Sequence, residues 1–311
     1  MFKKVLSKRP VWAGLSVVAV LAVAFSFAPV QAWAGEFLSI FRVQQVTVLP
    51  IDVSQLSALS DNASLAQEFS QLFSNSVNVT RQPGQPVVEA SAAAASKDAG
   101  FNVRLLSAGQ GTPRLTEQSG SAFDLTINRQ RAQALLNEAG RSDLQLPASV
   151  DGAKISVDIP AAVTAAYGDC PTPSTKDSGS GLMPRGVDAY APNCTVLAQL
   201  PSPTVDTPPD LNVGQLAEIG LEFTGMSASE AQQVSRSVDW TTTLVIPFPS
   251  DAGTSQQVSV DGVSGTLILS HAGRGGQANH YALIWVKNGI IYALTGTGSA
   301  DQATTLANSI H

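Results

Sequence analysis

The chain has 311 residues, of which 44% are hydrophobic and 14% charged, so it carries enough apolar side chains for a globular core but less surface charge than the roughly 25% of a typical soluble protein. Of its 18 basic residues, Lys3, Lys4, Lys8 and Arg9 lie in the first ten positions; the other 14 face 24 acidic ones, a net charge of −10 on the rest of the chain. A body of that sign repels phosphate and anionic headgroups, which excludes nucleic-acid binding and charge-driven attachment to membranes.

Behind the basic tail (residues 1–10) runs an uncharged apolar segment, Val11 to Val30, and no acid precedes Glu36. The positive-inside rule places the tail in the cytoplasm and everything after Glu36 outside it. Residues 11–34 are therefore a signal-anchor or a signal peptide. Ala32-Trp33-Ala34 fits a small-x-small cleavage site, and cleavage after Ala34 would make the body secreted. The length of the run, close to the roughly 20 residues of a spanning helix, favours a retained single-pass anchor.

In the body, Phe37 to Arg42 is an amphipathic stub, and Val43 to Leu49 reads as a first strand ended by Pro50. Asp61 or Asn62 opens a helix to about Phe73, with Leu65, Phe69 and Phe73 along one face. Ser74 to Pro86 reads as loop. A helix over Ala90 to Ala99 stops at Gly100, and Phe101 to Leu105 leaves it as an expected strand. Phe123, Leu125 and Ile127 alternate on a strand leading to the N-cap Asn128, and Arg129 to Ala139 forms a helix. Ala153 to Ile159 is apolar at every odd position, the pattern of a strand buried on one face, which implies antiparallel pairing.

Cys170 and Cys194 bracket a loop, residues 171–193, rich in Pro, Thr, Ser, Asp and Gly. In an oxidising compartment two cysteines 24 positions apart make one disulfide, worth about 3 kcal/mol through the constraint on the unfolded chain. Thr195 to Leu200 is a returning strand, and the Pro-rich stretch Pro201 to Pro209 is the best internal boundary. It separates an N-terminal half of the body (35–200) from a C-terminal part (210–311). In that part Val213 to Phe223 is a helix, Ser227 and Glu230 form a capping box for the next, and Trp240 to Phe248 is a strand. Asp261-Gly262 and Asn288-Gly289 are hairpin turns, the first joining strands at Val258 and Val263, the second joining Tyr281–Val286 to Ile290–Thr295. Ser299 and Gln302 cap a last helix, whose Ala303, Leu306, Ala307 and Ile310 form one stripe. The expected fold is α+β, a mainly antiparallel sheet with helices packed on one face.

No catalytic signature is evident. There is no G-x-S-x-G elbow, and His271-Ala-Gly-Arg-Gly-Gly276 lacks both the Lys-Ser/Thr of a P-loop and the order of a dinucleotide site; it reads as a hairpin tip. His271, His280 and His311 are too scattered for a metal site, and neither a metal nor a cofactor is expected. Trp240, Trp285, Tyr281 and Tyr292 lie on expected strands. Core packing is the default for such residues, and lining an apolar ligand cleft is the functional alternative.

The C-terminal third, from Val260-Asp-Gly-Val-Ser-Gly265 through Leu283-Ile-Trp-Val-Lys-Asn-Gly-Ile-Ile-Tyr-Ala-Leu-Thr-Gly296 to Ser299–Ile310, resembles a domain of uncharacterised function on the outer side of bacterial membrane-bound anti-sigma factors and related exported proteins. The junction from Trp33 to Val43 is similar too. The resemblance implies a non-enzymatic sensing or regulatory module, held at the bacterial inner membrane through residues 11–30 and working with an envelope regulatory protein. The family carries a helical, often zinc-binding, sigma-binding domain before the span, where this sequence has only Met1 to Pro10. An exported carrier of a lipid or other apolar ligand is the alternative.

Overall fold

The computed structural model describes residues 41–52, 63–107, 111–171, 193–270 and 280–311. The basic tail, the apolar run, residues 172–192 of the loop between the cysteines and the His271–Gly276 tip lie outside them. Two-residue turns set the local geometry at the C-terminal end. Asp261 (φ 52°) with Gly262 (φ 77°), and Asn288 (φ 53°) with Gly289 (φ 75°), hold positive φ at both central positions, the type I′ combination whose twist matches that of the flanking strands. These turns join β12 (Gly253–Val260) to β13 (Val263–Ser270) and β14 (His280–Lys287) to β15 (Ile290–Thr297).

Those four strands form half of an eight-stranded antiparallel sheet. The order continues from β15 through β9 (Cys194–Pro201), β8 (Ala162–Gly168) and β5 (Arg114–Gln118) to the edge strand β4 (Val87–Glu89). Pairing of β15 with β9, Leu294 opposite Leu197, joins the two parts of the chain across the Pro-rich stretch in one sheet. That stretch is itself partly strand, since β10 (Thr204–Asp206) lies within it. A five-stranded sheet runs in the order β1 (Phe41–Arg42), β10, β7 (Lys154–Ile159), β6 (Ser121–Thr126), β3 (Val77–Arg81).

The two sheets are continuous along the chain. β5 passes into β6 through Ser119-Gly120, β7 into β8 through Pro160-Ala161, and β9 into β10 through Ser202-Pro203, so one ribbon of neighbouring strands bends and serves both sheets. The bend is tight: a Cβ on Gly120 would overlap the Ile159 carbonyl and the Pro160–Ala161 peptide of the adjacent line, a close approach that only glycine permits. The Gln118 amide donates to the Gly84 carbonyl at 2.9 Å, and the Gly84 N–H donates to the Ser119 hydroxyl at 2.8 Å; these bonds tie the 82–86 connection between β3 and β4 to the same bend.

Helices cover these sheets. α2 (Ala92–Ala99) contacts β4, β5 and β8, and α6 (Ala300–Asn308) contacts β12, β14 and β15. On the side they cover, Leu197, Leu267, Leu283, Trp285 and Leu294 are fully buried, as are Ala303 and Ala307 of α6. α1 (Ala63–Ser76) and α3 (Arg129–Glu138) contact each other, and Phe73 of α1 packs against the cluster formed by Phe123 and Ile159 of the five-stranded sheet with Ala162 and Leu200 of the large one. α4 (Val213–Phe223) and α5 (Ala228–Ser237) form a helical hairpin. The opposite side of the large sheet carries a separate pair, β2 (Gln45–Ile51) parallel to β11 (Thr243–Pro249), which touches β13 and β14 and receives a hydrogen bond from the Thr266 hydroxyl to the Val46 carbonyl at 3.3 Å.

The fold is thus α+β with mostly antiparallel sheets, as the alternating patterns imply. Four local expectations change. The first strand is not ended by Pro50 but runs through it to Ile51, because β11 pairs with it along its whole length. Val77–Arg81, inside the expected loop 74–86, is a strand because β6 offers it a partner across Val79 and Phe123. Phe101–Leu105 joins no sheet; its backbone bonds go instead to the side chains of Ser96 and Gln199 and to the C-terminal His311. The strand expected from Trp240 begins at Thr243, after a turn held by the Asp239 carboxylate.

Both halves of the Ser299/Gln302 capping box are formed, and a helix this short depends on its docking face for stability. Replacing Leu306, packed at the core, by Asp should destabilise the protein by about 2–3 kcal/mol, while Thr305→Asp, exposed on the far side, leaves the melting curve unchanged; thermal unfolding of the two variants checks the assignment.

Candidate functional site

The four aromatic residues singled out in the sequence do not gather around one cavity. Trp285 and Tyr292 are cross-strand partners whose rings stack with centroids 5.2 Å apart, and with Tyr281 they belong to the core beneath α6. Burial raises the Tyr281 phenol, against the smaller pull of the Thr195 hydroxyl. Trp240 lies apart from them, between α5 and β11, with its indole N–H donating to the Ser235 carbonyl at 2.9 Å. The Cys170–Cys194 disulfide is present and joins the ends of the 171–193 loop beside β8 and β9, with a Cα–Cα distance of 4.7 Å. Arg114 of β5 donates to the Pro171 carbonyl at 2.8 Å.

A charged cluster closes the helix-covered side of the sheet. Gln199 of β9 is fully buried; its amide oxygen accepts from the Arg104 N–H at 2.8 Å and its amide nitrogen donates to the Arg104 carbonyl at 2.7 Å. The Arg104 guanidinium, held over the Tyr292 ring, pairs with both oxygens of Asp261 and donates to the Ile310 carbonyl. Lys287 adds a second cation, 2.7 Å from Asp261 Oδ1. Burial pushes the Asp261 carboxyl up, but the hydrogen bonds from Arg104 and then Lys287 outweigh it and hold the group below the usual carboxylate range. The Asp261 N–H donates to the Asn308 side chain, and Leu105 exchanges both backbone hydrogen bonds with His311. Both cations of the cluster pair with the one carboxylate, which suits it to holding structure.

The larger cavity described, about 510 Å³, opens between the end of β2 and the α4–α5 hairpin. Leu49, Pro50 and Asp52 form one wall, and Gly225, Met226, Glu230, Gln233, Val234 and Ser237 the other. That volume falls within the usual range of ligand sites. The Glu230 carboxylate accepts from the Ser227 hydroxyl at 2.6 Å and from the Ser227 N–H at 3.1 Å. The hydroxyl and then the N–H hold its pKa down, so the cleft combines apolar walls with a fixed negative charge. Such a lining suits an apolar group that carries a cation or hydrogen-bond donors at one end. A smaller cavity of about 160 Å³, lined by Phe69, Leu72, Phe73, Leu125, Ile127 and Ala132 among others, lies between α1, β6 and α3, beside the stacked Phe69 and Phe223 rings. Only the Ser227/Glu230 box of the larger cleft was visible in the sequence; its other wall lies some 180 positions away.

Glu117 of β5 is a buried carboxyl of the opposite kind. It is 7% exposed, and burial first, then Glu89 and Asp98, raise its pKa. Among the described residues no group of three or more His, Cys, Asp or Glu could hold a metal ion, and no helix is long and apolar enough to cross a membrane. Comparison with known protein families, with curated proteins and with solved structures finds no match to this chain.

Two outcomes follow from the charges. Arg104→Met leaves Asp261 with Lys287 alone and should cost about 3 kcal/mol in urea unfolding, close to the loss for breaking a buried ion pair. Glu117, with its folded pKa raised, contributes stability below the unfolded carboxyl value of about 4.3, and that contribution is lost as pH rises through the folded value. Glu117→Gln should therefore raise the melting temperature at neutral pH and flatten its decline between acid and neutral pH, as calorimetry across that range would register.

Proposed function

We propose that this chain is a non-enzymatic recognition module of regulatory type, tethered outside the cytoplasm through residues 11–30 and engaging an envelope regulatory protein at the cleft between β2 and α5. The observation that carries the reading is the position of the cleft on the chain. One wall is the end of β2, the first long strand described after the apolar run, so an occupant would bear on the strand closest in sequence to the tether. β2 in turn rests on the large sheet through the Val46–Thr266 bond, giving a contiguous route from the cleft to the core. The resemblance of the C-terminal third to outer domains of anti-sigma factors is in keeping with such a role.

The carrier of a lipid or other apolar ligand is the second reading, favoured by Leu49, Pro50, Met226 and Val234 on the cleft walls. A carrier, however, buries most of its ligand, and the larger cavity is an open cleft rather than an enclosed one. A photo-crosslinking residue placed at exposed Gln233 in the membrane-borne full chain should trap a specific envelope protein. Val234→Arg should abolish the adduct without shifting the melting temperature. Recovery of lipid alone favours the carrier, and absence of any adduct removes the cleft as the recognition site.

A further inference from the structure

β4 ends the eight-stranded sheet, and among the described residues no strand pairs with its outer edge. Natural edge strands are commonly protected by charge, twist or a covering segment. β4 instead exposes Val87 to 49% and Val88 to 70%, two of the three large hydrophobic side chains so exposed among the described residues. In the antiparallel register Val87 lies opposite Glu117 and Glu89 opposite Leu115. The strand alternation therefore puts Val87, Glu89 and Glu117 on one side of the sheet, the side against which α2, carrying Asp98, is packed.

The groups acting electrostatically on Glu117 are the acids Glu89 of the same edge and Asp98 of α2, with no cation among them. Glu117 is more than nine-tenths buried, and none of the hydrogen bonds or ion pairs described reaches its carboxylate. The contrast with Asp261, which takes two cations at comparable burial, marks the β4 edge as lacking its counter-charge. Exposed valines beside an open strand edge call for another strand, and uncompensated acids beneath them call for a basic side chain within it.

We propose that the β4 edge docks an extended peptide segment of a partner protein, one that alternates apolar and basic side chains, adds as a strand beside Val87–Glu89 and places an arginine or lysine against Glu117. Backbone pairing supplies part of the affinity, as in other strand additions, and the acid cluster selects the sequence. This site is separate from the cleft at β2 and does not depend on it.

The test uses the full chain in nanodiscs and two synthetic hexapeptides, one alternating arginine and valine, the other glutamate and valine, followed by fluorescence anisotropy. The basic peptide should bind with an affinity that falls as salt rises, and the acidic one should bind at least tenfold more weakly. Glu117→Gln should weaken the basic peptide at least tenfold while the melting temperature rises. Val87→Lys, which supplies a cation directly opposite Glu117, should also raise the melting temperature and block the peptide. Equal binding of both peptides, or affinity unchanged in both folded variants, would overturn the proposal, as would a self-associated chain in sedimentation that both variants convert to monomer.

Discussion

The side-chain amide of Gln199 is the contact on which the helix-covered side of the large sheet depends. It sits at the middle of β9 with no solvent access and satisfies both backbone groups of Arg104. A buried amide left unpaired there would cost about 1–3 kcal/mol, so the fit fixes where segment 101–107 must lie. Once Arg104 is placed, its guanidinium reaches Asp261 at one hairpin turn and the Ile310 carbonyl at the end of the chain. The Leu105–His311 backbone bonds and the bond from the Leu106 N–H to the Tyr167 hydroxyl complete the closure. α6 is held at its N-terminal end by its capping box and at its C-terminal end by this cluster.

The bent ribbon carries the second constraint. Because three strands cross from one sheet to the other within two residues each, the sheets share bends and cannot pack independently. Gly120 and the prolines Pro160 and Pro203 stand at those bends. Pro cannot donate to a ladder and glycine leaves room for a neighbouring carbonyl, so the sequence punctuation marks where pairing must change sheets.

Electrostatics divides the buried carboxylates into two classes. Asp261, met by two cations, is held ionised and locks a turn. Glu117, met by two acids, has its charged form disfavoured by burial and repulsion alike. The same low-dielectric setting strengthens a compensated group and penalises an uncompensated one. This is why the first reads as structure and the second as an unfinished interface.

Local rules written in the sequence determined the helix caps at Asn128, Ser227 and Ser299, the two I′ turns, the α+β class and the disulfide, because each depends on residues within a few positions or on one covalent pair. The stripe of Ala303, Leu306, Ala307 and Ile310 announced a docking face, although not what it would meet. Tertiary structure alone decided the parallel pairing of β2 with β11, some 200 residues apart, for which neither strand carries a local mark. It also turned Phe101–Leu105 from an expected sheet strand into a segment held by Gln199 and His311, since an apolar–polar alternation looks the same whichever group satisfies the backbone. The cleft walls at Leu49 and Val234, and the unpaired Glu117 opposite Val87, belong to the same class. A side chain's environment comes from chain segments far away, and sequence spacing carries no information about which of them will arrive.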